Sequence, residues 1–228
     1  HSLARAIDCS DSNNDGSDWI EESNPTLGNQ NTGSTCDVSG AVINEFLPDP
    51  SGSDAGHEWV ELRNITGQEI DIGGWTLSGG SSSFSTQAEI PSGITIPADS
   101  YILIGDEEVA IDLGQSPNVI DSLSLGNAGS NADALRLENC FGDVIDTVIY
   151  GDVLNGSDPW VDDIGNTPTI LAPKPSSGQS IGRIPDGFDS DIGSDFQSLN
   201  FISPWESNDL QPTCEGAEFV KINEFIPN

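Results

Sequence analysis

The chain has 228 residues, of which 38 are acidic and 6 are basic, so its formal net charge is −32. This balance excludes duplex nucleic acid as a partner, because binding to phosphates requires clustered lysine and arginine. No run of 18 apolar residues is present, so the sequence predicts no membrane-spanning helix. The charge indicates adaptation to high salt or to bound cations, or simply a soluble acidic surface.

Two segments near the start of the chain recur near its end, about 179 residues later. Ala41–Pro50 is similar to Phe219–Asn228, and Ser2–Asp8 is similar to Ser180–Asp186. A fixed period of this kind indicates an array of like domains. We therefore predict three parts, which are the end of a preceding repeat plus a linker (1–40), a complete domain (41–214) and the first strand of the next repeat (215–228).

Short apolar runs separated by turn residues predict strands through the central part of the chain. Apolar and polar residues alternate within them, so Leu135 and Leu137 should face a core while Arg136 and Glu138 face solvent. No amphipathic helix of ten residues is predicted. The predicted strands are Ala41–Phe46, Trp59–Asn64, Trp75–Ser78, Tyr101–Ile104, Leu123–Leu125, Ala134–Glu138, Val144–Tyr150 and Ser180–Arg183. This succession is typical of an antiparallel sandwich.

Residues 151–179 have a different character, because prolines interrupt regular structure there. Examples are Asp158-Pro-Trp160 and Pro173-Lys-Pro175. We predict an ordered long loop across one end of the sandwich, anchored by Trp160.

Several motifs follow one another in a characteristic order over about residues 41–208. They are Val42-Ile-Asn-Glu-Phe46, Glu58-Trp-Val-Glu-Leu-Arg-Asn64, Ile70-Asp-Ile-Gly-Gly-Trp75-Thr-Leu77, Ile96-Pro-Ala-Asp-Ser-Tyr101-Ile-Leu-Ile104, Asp143-Val-Ile-Asp-Thr-Val-Ile-Tyr150 and Ser180-Ile-Gly-Arg183. This order resembles the lamin tail domain family, including its secreted microbial tandem-repeat type. The resemblance implies an all-β, immunoglobulin-like antiparallel β-sandwich that serves as a scaffold and interaction module, without catalytic residues.

Two acidic loops occupy matching positions of the repeat and carry oxygen ligands at alternating positions. This spacing suits a hard cation such as Ca²⁺, while a solvated loop of Asx-turns is the alternative interpretation. The candidate metal ligands are Asp11, Asn13, Asp15 and Asp18 in the first loop, and Asp186, Asp189, Asp191 and Asp195 in the second.

The four cysteines form no C-x-x-C pair, which argues against zinc. Three pairings are possible, and Cys36 and Cys214 occupy equivalent boundary positions, so they should have equivalent partners. If each reaches back to its preceding domain body, the pairs are Cys9–Cys36 and Cys140–Cys214. Such disulfides suit an extracellular location, and free buried thiols are the alternative. Two N-x-S/T sites, at Asn64 and Asn155, are candidates for glycosylation.

Other polar and aromatic residues favour a structural role. Paired carboxylates can catalyse glycoside hydrolysis, but cross-strand hydrogen bonds or a pair with Arg63 explain Glu45, Glu58 and Glu61 more simply, so we predict no enzymatic activity. Trp19 and Trp205 lie near the domain junctions, where they would cover a neighbouring domain or pack locally.

The last segment is an apolar strand whose apolar residues are Phe219, Val220, Ile222, Phe225 and Ile226. Either it belongs to a truncated array, or it adds to the sheet of the next subunit and builds an open head-to-tail filament. We predict a non-enzymatic extracellular repeat unit that assembles with copies of itself into a fibre, surface appendage or sheath. The alternatives are a cell-surface adhesion or carbohydrate-binding module, with an aromatic patch near Trp160 that binds surface glycans, and an accessory domain of a secreted hydrolase.

Overall fold

The computed structural model describes residues 2–5, 19–22, 39–154 and 160–210. The one α-helix of this part, α1 (Val109–Leu113), has five residues, and no helix there is long and apolar enough to span a membrane. The strands are β1 (Ser2–Arg5), β2 (Trp19–Glu22), β3 (Ala41–Leu47), β4 (Trp59–Asn64), β5 (Ile70–Asp71), β6 (Thr76–Gly80), β7 (Ser85–Glu89), β8 (Thr95–Ile96), β9 (Tyr101–Gly105), β10 (Val119–Ile120), β11 (Asp133–Glu138), β12 (Val144–Tyr150), β13 (Ser180–Arg183) and β14 (Phe196–Leu199).

Two sheets build the main body. One has six strands in the order β10-β9-β4-β3-β13-β14, and the other has four in the order β12-β11-β6-β7. Neighbouring strands run antiparallel except β10, which pairs with β9 in parallel. The predicted all-β, immunoglobulin-like sandwich is therefore confirmed. Strands β5 and β8 form a small separate pair, and so do β1 and β2.

The core lies between the two sheets, where alternating side chains of both sheets meet. Leu135 and Leu137 are fully buried, whereas Arg136 and Glu138 on the opposite face are partly buried, and Arg136 lies over the Phe84 ring rather than in solvent. Burial of a large apolar side chain of this kind contributes about 1.5–3 kcal/mol. The same cluster includes Ile43, Phe46, Val60, Leu62, Trp75, Leu77, Tyr150 and Ile181.

Strands β3 and β4 differ from the prediction, because both of their faces are buried. On the outer face, Trp59 packs with Leu47, Leu103 and Val109 in a second cluster. The polar residues of this face lie beneath residues 203–208, here called the covering segment, which contribute hydrogen bonds to them. The alternation of apolar and polar residues therefore distinguishes the two faces of these strands, but both faces are buried in the folded protein.

The predicted strand at Leu123–Leu125 is wrong. Leu123 and Leu125 are buried, but the segment lies outside the sheets. Its backbone N–H groups bond to side chains instead, since Ser124 donates to Gln87 and Leu125 donates to Glu58. Side-chain acceptors thus replace a neighbouring strand.

The long loop contacts the four-stranded sheet through Trp160, whose side chain is 1% exposed. Its Nε1 donates to the carbonyl oxygen of Ala132 at 2.8 Å, and its ring meets Phe84 edge-on with centroids 4.9 Å apart. Trp160 therefore anchors the loop. Because its ring is buried, it is not available to stack on a sugar, and the predicted aromatic patch at this residue is wrong.

Candidate functional site

The closing hairpin, β13–β14, forms one edge of the six-stranded sheet and attaches to it through β3. Strand β13 pairs with β14 on one side, where Ser180 faces Leu199 and Arg183 faces Phe196. On its other side β13 pairs with β3, where Ile181 faces Phe46. The four residues of β13 are all buried, so this short strand is enclosed by its neighbours.

Arg183 is the centre of a buried ionic cluster and is 1% exposed. Its Nη2 donates to both carboxylate oxygens of Asp146, at 2.9 and 2.8 Å, and its Nη1 donates to Asp189 at 2.9 Å. Its Nε donates to the Ile43 carbonyl oxygen, and its guanidinium lies 4.4 Å from the ring centroid of Phe196. One side chain therefore connects β3, β12, β13 and the acidic loop after β13.

The charges of this cluster depend on one another. Burial raises the pKa of Asp146 to about 6, and the guanidinium of Arg183 opposes this rise. Burial alone would lower the pKa of Arg183, but Asp146 and Asp189 raise it above its ordinary value. Removal of either side of such a buried pair leaves an uncompensated charge, which costs about 3–5 kcal/mol.

Glu45 connects β3 to β13 and to the covering segment. Its carboxylate accepts a hydrogen bond from the Ser180 hydroxyl, and it also accepts bonds from the backbone N–H and the hydroxyl of Ser203. Burial raises the pKa of Glu45 to about 7, and these hydrogen bonds limit the rise.

Glu61, on β4, forms the neighbouring contact. It accepts hydrogen bonds from the Asn44 side chain at 2.9 Å and from the backbone N–H of Trp205. Burial raises the pKa of Glu61 to about 9. Glu58 accepts a bond from the Leu125 N–H, and burial raises its pKa to about 8. The bonds of Glu45 to Ser180 and of Glu61 to Asn44 join strands, as predicted, whereas Glu58 binds a loop and Arg63 pairs with Asp186 instead of a glutamate.

Asn44 is at a bulge in β3, where the register with β4 shifts between Ile43 and Glu45. The bulge brings the Asn44 side chain to the loop after β13, so that it donates to Asp186 and accepts from the Gly187 N–H. Asp186 also accepts from the Tyr101 hydroxyl and pairs with Arg63 at 2.6 Å. The loop is thus held by three strands of the sheet.

The predicted metal ligands of this loop do not form one set. Asp186 is paired with Arg63, and Asp195 is buried and accepts bonds from Ser190. Asp189 pairs with Arg183, whereas Asp191 is exposed. The candidate ligands of the first loop, Asp11, Asn13, Asp15 and Asp18, lie outside the described residues.

A different acidic group lies beside Arg183. Carboxylate oxygens of Asp146, Asp163 and Asp189 lie within 4.8 Å of one another. Burial raises the pKa of Asp163 to about 7, and its Oδ1 is a buried atom without a hydrogen-bond partner among the described residues. These oxygens are of the type that binds hard cations. Sequence reasoning missed the group because its members come from β12, the long loop and the acidic loop.

The cysteines and the glycosylation sites have separate outcomes. Cys140 is the one cysteine among the described residues, so both predicted pairings, Cys9–Cys36 and Cys140–Cys214, stay predictions. Asn64 is fully buried, and its Nδ2 donates to three backbone carbonyl oxygens. The prediction of a glycan there is wrong, because the nitrogen that would carry it is enclosed. Asn155 lies outside the described residues.

Trp205 packs on its own domain, beside the second cluster formed by Leu47, Trp59, Leu103 and Val109. Its Nε1 donates to the Asn118 side chain at 2.9 Å. This contact fits the local alternative for Trp205. Trp19, by contrast, lies on β2 and is 41% exposed.

The N-terminal hairpin, β1–β2, repeats the pairing of the closing hairpin. Ser2 faces Glu22 and Arg5 faces Trp19, just as Ser180 faces Leu199 and Arg183 faces Phe196. The first strand of each hairpin thus begins on a serine and ends on an arginine, and its antiparallel partner also has four residues. The sequence similarity therefore coincides with identical strand pairing.

Sequence reasoning missed the role of Arg183. The one signal for it was the recurrence of Ser-x-x-Arg at Ser2–Arg5 and Ser180–Arg183. Its partner Asp146 lies in an alternating strand, where the sequence gives no sign that an acid faces inward.

A two-sheet sandwich whose six-stranded sheet ends in the β13–β14 hairpin is an immunoglobulin-like scaffold, and its buried polar residues join strands to one another. The lamin tail domain family model matches residues 36–152, which are 117 of the 228 residues and thus just over half of the chain. The chain therefore belongs to the lamin tail domain family, a non-catalytic family of structural and protein-interaction domains. No curated protein matches the chain.

Proposed function

We propose that this protein is a non-enzymatic, extracellular structural unit whose copies join head-to-tail into a fibre, surface appendage or sheath. The observation that carries the proposal is the correspondence between the β1–β2 and β13–β14 hairpins in sequence and in strand pairing. Under this interpretation, residues 1–40 contain the end of one lamin-tail unit, residues 41–214 contain a complete unit, and residues 215–228 begin another.

The charge and the family membership support the same proposal. A net charge of −32 keeps copies soluble and apart at low ionic strength, and salt would screen this repulsion and allow contact. A heterologous contact between unlike surfaces of identical copies builds an open filament unless its rotation closes a ring.

Calcium and disulfides are the proposed reinforcements of the assembly. The Oδ1 of Asp163, close to Asp146 and Asp189, supports a cation site, since a bound cation would supply the missing partner. A disulfide bond at Cys140 would reinforce the assembly in addition to the cation. Both features fit an extracellular location, where oxidised cysteines and calcium persist.

The test is electron microscopy of the purified full chain at physiological salt, with Ca²⁺ and then with a chelator. We expect regular filaments with Ca²⁺ and their partial dissolution by the chelator. Dispersed single particles in both conditions would contradict head-to-tail assembly. Filaments that persist unchanged in the chelator would support the structural function and show that the assembly does not depend on calcium.

A further inference from the structure

The N-terminal hairpin and the C-terminal segment correspond to adjacent strands of one lamin-tail unit. Strand β1 corresponds to β13, as the register of their hairpins shows. The segment Val220–Ile226 corresponds to β3, because Asn223-Glu-Phe225 matches Asn44-Glu-Phe46. In the complete unit, β13 and β3 are hydrogen-bonded neighbours, whereas β1 pairs with β2 alone within the described part of the chain.

The exposed apolar residues of the hairpin are those that the complete unit buries. Leu3 is 71% exposed, whereas Ile181, at the equivalent position of β13, is fully buried. Trp19 is 41% exposed, whereas its equivalent Phe196 is 4% exposed. An apolar strand edge of this kind favours the addition of another strand.

We propose that the segment Phe219–Asn228 of a second copy adds to the edge of β1 that has no strand beside it in the described part of the chain, in the register that β3 adopts beside β13. This inference rests on the proposed head-to-tail assembly and specifies its junction. In this register Leu3 faces Phe225 and Ala4 faces Glu224, as Ile181 faces Phe46 and Gly182 faces Glu45.

The polar residues that hold β13 to β3 are kept in both segments. Ser180 donates to Glu45, and Arg183 donates to the Ile43 carbonyl oxygen. The corresponding residues are Ser2 with Glu224 and Arg5 with Ile222. The junction therefore has an apolar pair, a serine–glutamate bond and an arginine–carbonyl bond, which together determine one register.

One position of the junction differs from the template. Gly182 lies so close to Asn208 and Leu199 that a methyl group would approach each of them to 2.7 Å. The hairpin has Ala4 there, and the residue equivalent to Leu199 is Glu22. We therefore expect the junction to lack a contact like that of Asn208 and to be weaker than the β13–β3 pairing.

The test uses two variants of the full chain and their mixture. Leu3→Asp places a charge on the receiving edge, and Phe225→Asp places one on the added strand. Ile111→Asp, at an 82% exposed residue of α1, is the matched control for the added acid. Oligomer size is measured by analytical ultracentrifugation over a range of concentrations at physiological salt.

We expect the wild-type chain and Ile111→Asp to form oligomers that grow with concentration, while each of the other two variants stays monomeric. An equimolar mixture of Leu3→Asp and Phe225→Asp should form dimers and nothing larger, because only one intact junction can form between them. This result would also show that both variants remain folded and competent.

The other outcomes separate the two proposals. If both variants assemble like the wild type, the junction is wrong and head-to-tail assembly stands. If the wild type is monomeric but the mixture forms dimers, the strand pairing is right and the structural function is wrong, because each chain then closes on itself. If neither the wild type nor the mixture assembles, both proposals are overturned.

Discussion

The hairpins β1–β2 and β13–β14 have the same strand pairing but differ in how far their apolar residues are buried. Ile181 is enclosed by β3, and Arg183 by Asp146 and Asp189, whereas the equivalent Leu3 is exposed. The sequence of each hairpin is therefore enough for its own pairing, while its burial depends on the strand beside it. Equivalent positions of the two hairpins therefore serve as each other's controls.

The largest expected effect is at the arginine positions. Arg183→Ala should lower the free energy of unfolding by about 3–5 kcal/mol, because it leaves buried carboxylates without their counter-charge. Arg5→Ala should change the stability of the sandwich by less than about 0.5 kcal/mol. Urea denaturation followed by tryptophan fluorescence measures both. An equal decrease in the free energy of unfolding for both variants would contradict the expected difference between the two hairpins.

The apolar positions should show a smaller contrast. Ile181→Ala removes a fully buried side chain and should cost about 2–4 kcal/mol, whereas Leu3→Ala, at a 71% exposed residue, should cost almost nothing. The same denaturation experiment, performed at a concentration where the chain is monomeric, measures both variants. A large loss at Leu3 would show that the N-terminal hairpin already packs on the sandwich.

The stability of the folded chain should also depend on pH, because buried carboxylates hold the closing hairpin. Burial raises the pKa values of Glu45 and Glu61 to about 7 and about 9, from 4.5 in the unfolded chain. A raised folded-state pKa favours the protonated form, so this stability is complete below pH 4.5 and is lost as the pH rises towards 9. The free energy of unfolding should therefore be higher at pH 5 than at pH 9.

Denaturation at pH 5, 7 and 9 measures this effect. Glu61→Gln should flatten the pH dependence, because the glutamine retains a hydrogen-bond acceptor without ionising. Glu69→Gln, at an exposed residue, removes the same charge and should leave the dependence as it is. If both variants flatten it equally, general charge repulsion rather than these buried carboxylates causes the loss.

The smallest effect is expected at the serine positions. Ser180→Ala removes the hydroxyl that donates to buried Glu45 and should cost about 1 kcal/mol. Ser2→Ala should leave the stability of the sandwich unchanged and weaken only the assembly. Thermal unfolding for the first and sedimentation for the second check these expectations, and a stability loss at Ser2 would contradict them.

The strands that alternation could identify were those with a strong apolar pattern. Trp59–Asn64, Val144–Tyr150 and Ser180–Arg183 have the predicted bounds. By contrast, β7 (Ser85–Glu89) is polar and largely exposed at the edge of its sheet, so its sequence resembles a loop. Edge strands bury little apolar surface, and the sequence pattern is weak where burial is small.

The candidate site was predictable only in part. The acidic loop after β13 was identified, but its aspartates were assigned to one cation, whereas Asp186 and Asp189 pair with two different arginines. The spacing of the acidic residues along the chain is typical of a loop that binds an ion without residues from other strands. It does not reveal arginines that approach from other strands.

The all-β sandwich could be predicted from the sequence, because it follows from local alternation, and the similarity of Ser2–Asp8 to Ser180–Asp186 is visible in the sequence as well. Which charges are buried together depends on the tertiary structure. Arg183 and Asp146 are 37 residues apart in the chain, and Glu45 and Ser203 are 158 apart. Such contacts arise from the packing of whole strands, and no local pattern in the sequence reports which distant groups that packing brings together.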